Sequence, residues 1–125
     1  MIDENVMPEH VWVFPAQITR VIDGDTLELI IDTGMHTRRI ERCRLLGVDT
    51  PELFRGSLEE RQQGRIAKAF VEEWVKNSSG PQEFSFLIRT RKDPDSFGRY
   101  LCDVWSRVTG TCINDILVAQ GYGSN

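Results

Sequence analysis

A nine-residue stretch, RLLGVDTPE at residues 44–52, places a guanidinium and two carboxylates around one rigid turn. Its apolar residues are strand formers that suit the wall of a buried barrel. Pro51 fixes its own φ and pushes Thr50 into an extended conformation, which stiffens the loop where Asp49 and Glu52 emerge. A planar cation beside two carboxylates suits a metal-assisted phosphate site, and the alternative is a strand end with ordinary solvated charges.

Two further stretches carry charged residues that such a site would need. DGDT at residues 23–26 has the composition of a tight turn, and FGR at residues 97–99 precedes a strand-forming run. Taken singly, the first is typical of an ordinary turn and the second of a surface arginine. In a five-stranded barrel, however, the first three strands and the fifth can bring all three stretches to one rim.

The elements that must position these residues follow from the hydrophobic periodicity. Strands are predicted at residues 11–22, 27–31, 39–48, 84–88 and 100–105, with a polar loop over residues 89–96. One long helix is predicted from Leu58 to Asn77, because Ile66, Phe70 and Trp74 recur at helical spacing.

A short helix is predicted at the C-terminal end, with Asn114 as its N-cap and Gly121 at its C-terminal cap. The predicted class is therefore α+β and mainly β. It is a five-stranded OB-fold barrel with one long helix between strands 3 and 4 and a short C-terminal helix. Residues 1–10 are predicted to be a flexible lead-in, and residues 11–125 a single domain.

The composition limits the classes of function. No apolar run approaches the roughly 20 residues that span a bilayer, and the N-terminus lacks the pattern of a signal peptide. We therefore expect a cytoplasmic protein with no membrane contact. Three cysteines without a C-x-x-C pair argue against a disulfide framework or a zinc ribbon, and Cys43 and Cys102, in apolar strands, are predicted to be reduced core thiols. A net charge of −4 weakens bulk attraction to nucleic acid, but a divalent cation and focused arginines can still hold a phosphate.

From about Ile18 to Gly121 the chain resembles the staphylococcal nuclease (thermonuclease) family. The resemblance rests on four stretches that occur in order, with a helix between the second and the third. They are VIDGDT at 21–26, RLLGVDTPE at 44–52, FGR at 97–99 and NDILVAQG at 114–121. No single stretch is specific, but the ordered set is.

The resemblance implies an OB-fold nuclease that hydrolyses phosphodiester bonds in DNA and RNA with calcium. Carried over by position, its metal ligands are the carboxylates of Asp25 and Asp49 and the backbone carbonyl of Thr50, with Asp23 as an acidic neighbour. The groups that it implies for the phosphate and the attacking water are Arg44, Arg99 and the general base Glu52.

The chain departs from the family pattern at several positions. Phe97 stands where the staphylococcal enzyme has a tyrosine. Arg91 and Lys92 are candidates for holding a nucleic-acid backbone, although a solvated loop explains them as well. Only Tyr122 follows Gly121 as a base-facing aromatic, so we expect weaker stacking. A barrel with less C-terminal cover predicts a monomer, or a homodimer that buries an exposed apolar patch.

Three functions from different classes remain open on the sequence alone. The first is the calcium-dependent nuclease, and the second is a non-catalytic module of the same fold that binds nucleic acid or protein. The third is a structural or assembly role that needs no metal. Calcium-dependent thermal stabilisation would separate the first from the other two, and polynucleotide binding without turnover would separate the second from the third.

Overall fold

The computed structural model describes residues 12–95 and 97–124, without the side chains of residues 92 and 93. Its strands are β1 (Val13–Asp23), β2 (Thr26–Gly34), β3 (Thr37–Leu45), β4 (Phe86–Pro94) and β5 (Tyr100–Ser106). They close into a barrel in the order β1-β2-β3-β5-β4. Helix α1 (Leu58–Ser78) lies between β3 and β4, and α2 (Ile113–Leu117) follows β5. The predicted five-stranded OB-fold barrel is confirmed, and the predicted lead-in at 1–10 lies outside the described residues.

The barrel closes around side chains that alternate along each strand. On β2, Leu27 and Leu29 are fully buried, as the period of two in a half-buried strand requires. On β5 the same alternation buries Cys102 and Val104. All three cysteines are buried, and the predicted core positions of Cys43 and Cys102 are confirmed.

Helix α1 begins and ends close to the predicted positions. Ser57 is its N-cap, and its hydroxyl accepts a hydrogen bond of 3.1 Å from the backbone N–H of Glu60. Ala67 and Val71 face the barrel and are fully buried, whereas Ile66 at the edge of the apolar stripe is 52% exposed. Within the described residues, no helix has the length and apolar character needed to cross a membrane.

Strand β4 is longer than the sequence predicts and runs to Pro94 through residues that we expected in a polar loop. Arg89 and Thr90 remain in register with β5, and the register is irregular between Thr90 and Pro94. The guanidinium of Arg89 donates to Asp103 on β5 at 2.9 Å and lies 5.2 Å from the ring centre of Trp105. Cross-strand contacts of this kind stabilise a sheet without an apolar repeat. Strand β3, in contrast, ends at Leu45, three residues before the predicted end at 48.

The predicted N-cap role of Asn114 is wrong. Cys112 precedes the first turn of α2, and Asn114 lies inside the helix. The amide of Asn114 instead accepts the N–H of Val104 at 3.0 Å and donates to the carbonyls of Cys102 (3.0 Å) and Leu46 (2.9 Å). These backbone groups, and not the N–H groups of the first turn of α2, occupy the side chain, and the Cys102 carbonyl also accepts the N–H of Leu46 at 2.9 Å. Helical geometry ends at Gly121, which has a φ of 97°.

Candidate phosphate and metal site

Asp25 is the buried carboxylate at the turn between β1 and β2. Its Oδ1 accepts the hydroxyl of Thr26, and its Oδ2 accepts the backbone N–H of Thr50, both at 3.1 Å. Burial acts to raise the pKa of Asp25, but hydrogen bonds from Asp23 and Thr50 and the charge of Arg44 outweigh it and lower the pKa. Asp25 is therefore an anion held in a fixed orientation.

Arg44 lies between the two carboxylates that the sequence predicts as metal ligands. Its Nη1 is 3.2 Å from Oδ2 of Asp25, and its Nη2 is 3.6 Å from Oδ1 of Asp49. The same Nη1 donates to the carbonyl of Val48 at 2.6 Å, which orients the guanidinium. The side chain of Arg44 is 20% exposed and that of Asp49 is 69% exposed. The side of this cluster that carries Asp49 is thus open to solvent.

Two glycines set how closely helix α1 approaches the loop of residues 49–52, which we call the acidic loop. A Cβ atom on Gly24 would lie 2.8 Å from the Thr50 hydroxyl and 2.9 Å from Ala67 of α1. A Cβ atom on Gly64 of α1 would lie 2.5 Å from the carbonyl oxygen of Glu52. The backbone carbonyl of Glu52 therefore packs against α1, although Glu52 as a whole is exposed to solvent.

Asp23 lies beside Asp25 on the edge of the same turn. Its Oδ1 accepts the backbone N–H of Asp25 at 3.0 Å. Burial, followed by hydrogen bonding with Asp25 and repulsion from its charge, raises the pKa of Asp23 to about 6. Two adjacent acids with pKa values shifted in opposite directions are common at functional sites, although structural networks show them too.

Arg99 is held by an acid four residues before it, Asp95. Oδ2 of Asp95 accepts a hydrogen bond from Nε of Arg99 at 3.0 Å and forms an ion pair with Nη2 at 2.9 Å. Oδ1 accepts the backbone N–H groups of Phe97 and Arg99, both at 2.9 Å. The guanidinium carbon lies 5.1 Å from the ring centre of Phe97. Burial acts to raise the pKa of Asp95, but the backbone N–H groups and Arg99 together lower it.

An open cleft of about 340 Å³ lies beside the pair of Arg44 and Asp49, and the side chains of Asp25, Glu52 and Arg99 are not part of its lining. Arg44 and Asp49 line one part of it, and Asp95, which holds Arg99, lines another. The pairing of β3 with β5 explains this proximity, because Arg44 is in register with Leu101, two residues after Arg99. The structure thus brings the stretches at 23–26, 44–52 and 97–99 to one side of the barrel, as the sequence predicts.

The C-terminal residues pair with the loop that carries Asp49. The backbone N–H of Asp49 donates to the carbonyl of Tyr122 at 2.8 Å, and the N–H of Ser124 donates to Gly47 at 2.9 Å. The ring of Tyr122 is partly buried against the core. Its predicted contact with a base therefore stays a prediction, whereas its backbone stabilises the acidic loop.

The remaining predicted substrate-binding residues are not in this cleft. Arg91 lines a separate pocket, and the side chain of Lys92 lies outside the described residues. Sequence reasoning missed Asp95 and Asn114. The D-x-x-x-R spacing of Asp95 and Arg99 was a usable signal for the first, but nothing in the sequence distinguished Asn114 from an ordinary N-cap.

Replacing Asn114 by leucine should destabilise the protein strongly. Asn114 is 3% exposed, so the N–H of Val104 and the carbonyl of Leu46 would be left buried without their partner. We expect the free energy of unfolding to fall by about 3 kcal/mol in urea titrations. Asn77→Ala on the exposed face of α1 is the control and should change it by less than about 0.5 kcal/mol. Equal effects of the two substitutions would contradict the assigned role of Asn114.

The oxygen atoms that could ligate a metal in this site suit a hard cation such as calcium. Asp25 and Asp49 supply carboxylate oxygens, and the buried Oγ1 of Thr50 has no hydrogen-bond partner among the described residues. Within 12–95 and 97–124, no group of three or more His, Cys, Asp or Glu residues is placed to hold a metal ion. A cation bound here would therefore need several water or substrate oxygens, which calcium accepts readily.

Fold and site together define an OB-fold barrel with an arginine between two acids and a second arginine held beside them. A model of the family described as "Staphylococcal nuclease homologue" matches residues 42–125, and the chain belongs to that family. It is 36% identical over 88 residues to a thermonuclease of Staphylococcus intermedius, which covers 70% of this chain and 46% of that protein. It is 30% identical over 89 residues to a thermonuclease of Staphylococcus hyicus, covering 71% and 47%. The chain spans about half the length of these curated relatives.

Proposed function

We propose that this protein is a calcium-dependent nuclease that hydrolyses phosphodiester bonds of DNA, RNA or both by metal-assisted attack of water. The observation that carries the proposal is the position of Arg44, whose guanidinium lies 3.2 Å from Asp25 and 3.6 Å from Asp49 at an open cleft. Family membership and the names of the two thermonuclease relatives support the same reaction.

The two arginines are the groups that we assign to the phosphate. Arg44 is oriented by the carbonyl of Val48, and Arg99 by the carboxylate of Asp95. Guanidinium groups with fixed planes bind phosphate oxygens through two parallel hydrogen bonds. Their contribution is largest where negative charge grows in the transition state.

The acidic groups of the site would hold calcium through Asp25, Asp49 and the carbonyl of Thr50. When bound, the ion would neutralise a phosphate oxygen and orient the attacking water. Arg44 already lies between the two carboxylates, so it limits their mutual repulsion and keeps them in place. Asp23 adds a further acid at the edge of the site.

Glu52 is the group that we assign to the proton of the attacking water. It is exposed and follows Asp49 by three residues, and Gly64 of α1 fixes its backbone. A carboxylate accepts this proton only when it comes within hydrogen-bond distance of the water. The close packing of the loop against α1 provides the rigidity that such positioning needs.

The test is hydrolysis of denatured DNA and of RNA by Glu52→Gln, with calcium and then with a chelator. Loss of the base should lower kcat by about 10²–10⁴-fold. The matched control is Glu59→Gln, an exposed glutamate in the first turn of α1 that should leave the rate unchanged. Calcium should also raise the melting temperature of both variants, since neither change removes a proposed ligand.

Two results would argue against a calcium-dependent nuclease. Polynucleotide binding without cleavage by folded protein would favour a non-catalytic binding module of the same fold. Equal rates in calcium and in chelator would remove the metal from the mechanism. The cytoplasmic location and the monomeric or homodimeric state stay predictions from the sequence, and cell fractionation and sedimentation velocity test them.

A further inference from the structure

We propose that the end of the barrel that contains Trp12 and Tyr100 binds one unpaired base of a nucleic acid strand. The proposal rests on the nuclease function proposed above, and it adds a subsite that is separate from the cleft of Arg44. The subsite is a pocket of about 180 Å³ whose walls include Trp12, Phe14, Arg39, Glu41, Arg91 and Tyr100. We call it the mouth pocket.

The strand order explains why these residues meet. Trp12 immediately precedes β1, Arg39 is near the start of β3, and Tyr100 is the first residue of β5. Arg91 comes from the second half of β4, which is antiparallel to both β1 and β5. The mouth pocket is therefore one open end of the barrel, and Tyr100 connects it directly to Arg99.

Aromatic rings provide the stacking surface. Trp12 is 45% exposed, and Phe14 and Tyr100 are half-buried. The position of Trp12 is fixed by its carbonyl, which accepts the N–H of Thr90 on β4 at 2.9 Å. Exposed aromatic rings on an OB-fold are typical stacking partners for bases, because every base has a π-face.

Charged side chains line the same pocket as the aromatic rings, namely Arg39, Glu41 and Arg91. Arg39 donates to Glu41 at 2.7 Å, so the charges of these two residues largely offset each other. Glu41 remains an acceptor for the amino group of a base, the role that acidic side chains take towards cytosine. Arg91 is exposed at the rim and adds a positive charge for a backbone phosphate.

The size of the mouth pocket limits its occupant. At about 180 Å³ it is smaller than the ~300–1,000 Å³ of pockets that enclose a whole small molecule. It therefore suits one planar group of a larger ligand, with the rest of the ligand outside. A base can enter only when it is unstacked and unpaired, so the expected ligand is single-stranded nucleic acid. Its backbone would continue past Arg91 towards Arg99.

The experiment measures binding of a short fluorescent single-stranded DNA by anisotropy, with chelator present so that no strand is cut. Trp12→Ala should weaken binding about tenfold, the usual effect of removing one stacking ring. Trp12→Phe should recover most of the affinity. Arg91→Glu should also weaken binding and reduce its salt dependence. The control Arg20→Glu, an exposed arginine of β1 outside the pocket, should bind as the parent does apart from a small general charge effect.

A second readout separates this proposal from the nuclease itself. Trp12→Ala should keep the parental rate on a small chromogenic phosphodiester, while its kcat/KM on single-stranded DNA falls about tenfold. If Trp12→Ala cleaves both substrates at parental rates and binds DNA with unchanged affinity, the mouth pocket does not bind a base, and the proposed nuclease function is unaffected. Absence of all cleavage, together with weaker binding by Trp12→Ala, would overturn the nuclease and support the pocket. Equal losses of DNA affinity in Trp12→Ala and Arg20→Glu would also contradict base binding in the mouth pocket.

Discussion

Arg99→Lys should lower kcat/KM for a polynucleotide by about 10²–10³-fold without unfolding the protein. In the structure, Nε and Nη2 of Arg99 bind Asp95, so a phosphate would be met by Nη1 and the second hydrogen of Nη2. A planar guanidinium presents coplanar N–H groups on two sides, so it can bind an acid with one edge and a phosphate bidentately with another. A lysine ammonium keeps the charge but lacks this planar arrangement and cannot reproduce the bidentate contact.

The comparison that isolates this effect is Asp95→Asn. The amide oxygen of asparagine can still accept the backbone N–H groups of Phe97 and Arg99, so the turn should persist. The orientation of the guanidinium would be looser, and we expect a smaller loss of rate than in Arg99→Lys. Single-turnover rates with calcium, supported by circular dichroism, measure both variants. Near-parental turnover of Arg99→Lys would show that charge alone suffices and that the planar geometry is unimportant.

Gly64→Ala should destabilise the protein by about 1–3 kcal/mol and impair cleavage at the same time. At an exposed helical position the same change would stabilise by up to about 1 kcal/mol, because alanine has the higher helix propensity. Here the added Cβ would lie 2.5 Å from the carbonyl oxygen of Glu52 and 2.8 Å from that of Pro51. Both contacts are with backbone, so the clash cannot be relieved by a rotamer change.

The sign of the stability change makes this a sharp test. Gln63→Ala, at the preceding and exposed position of α1, serves as the control and should be neutral or slightly stabilising. Urea unfolding gives the stability change of each variant, and hydrolysis of denatured DNA gives the activity. A more stable Gly64→Ala with parental activity would mean that the helix does not position the loop of Glu52.

Much of the fold could be predicted from local patterns. The alternation that buries Leu27 and Leu29 identified β2, and the helical spacing of Phe70 and Trp74 identified α1 within one residue of its observed end. Such signals are visible because each element buries one of its own faces, which leaves a period in the sequence. The order of the four motifs likewise indicated the family.

The groups of the candidate site were also predictable, but their geometry was not. The sequence indicated Asp25, Arg44, Asp49 and Thr50 as neighbours, and the structure places them in direct contact. Their roles towards metal and phosphate stay predictions. The position of Arg44 between the two acids could not be read from spacing, because it depends on how β2 and β3 pair.

Only the tertiary structure decided the remaining features, and in each case the cause is competition between local and distant partners. Asn114 has the composition of a helix cap, yet it satisfies backbone groups of β5 and of Leu46, 68 residues away. The polar segment that begins at Arg89 looks like a loop, yet Arg89 pairs with Asp103 of β5 and β4 continues to Pro94. Trp12 and Tyr100 share one pocket because barrel closure joins the start of β1 to β4 and β4 to β5. Sequence patterns record which face of an element is buried, but they do not record which distant atoms occupy the space beside it.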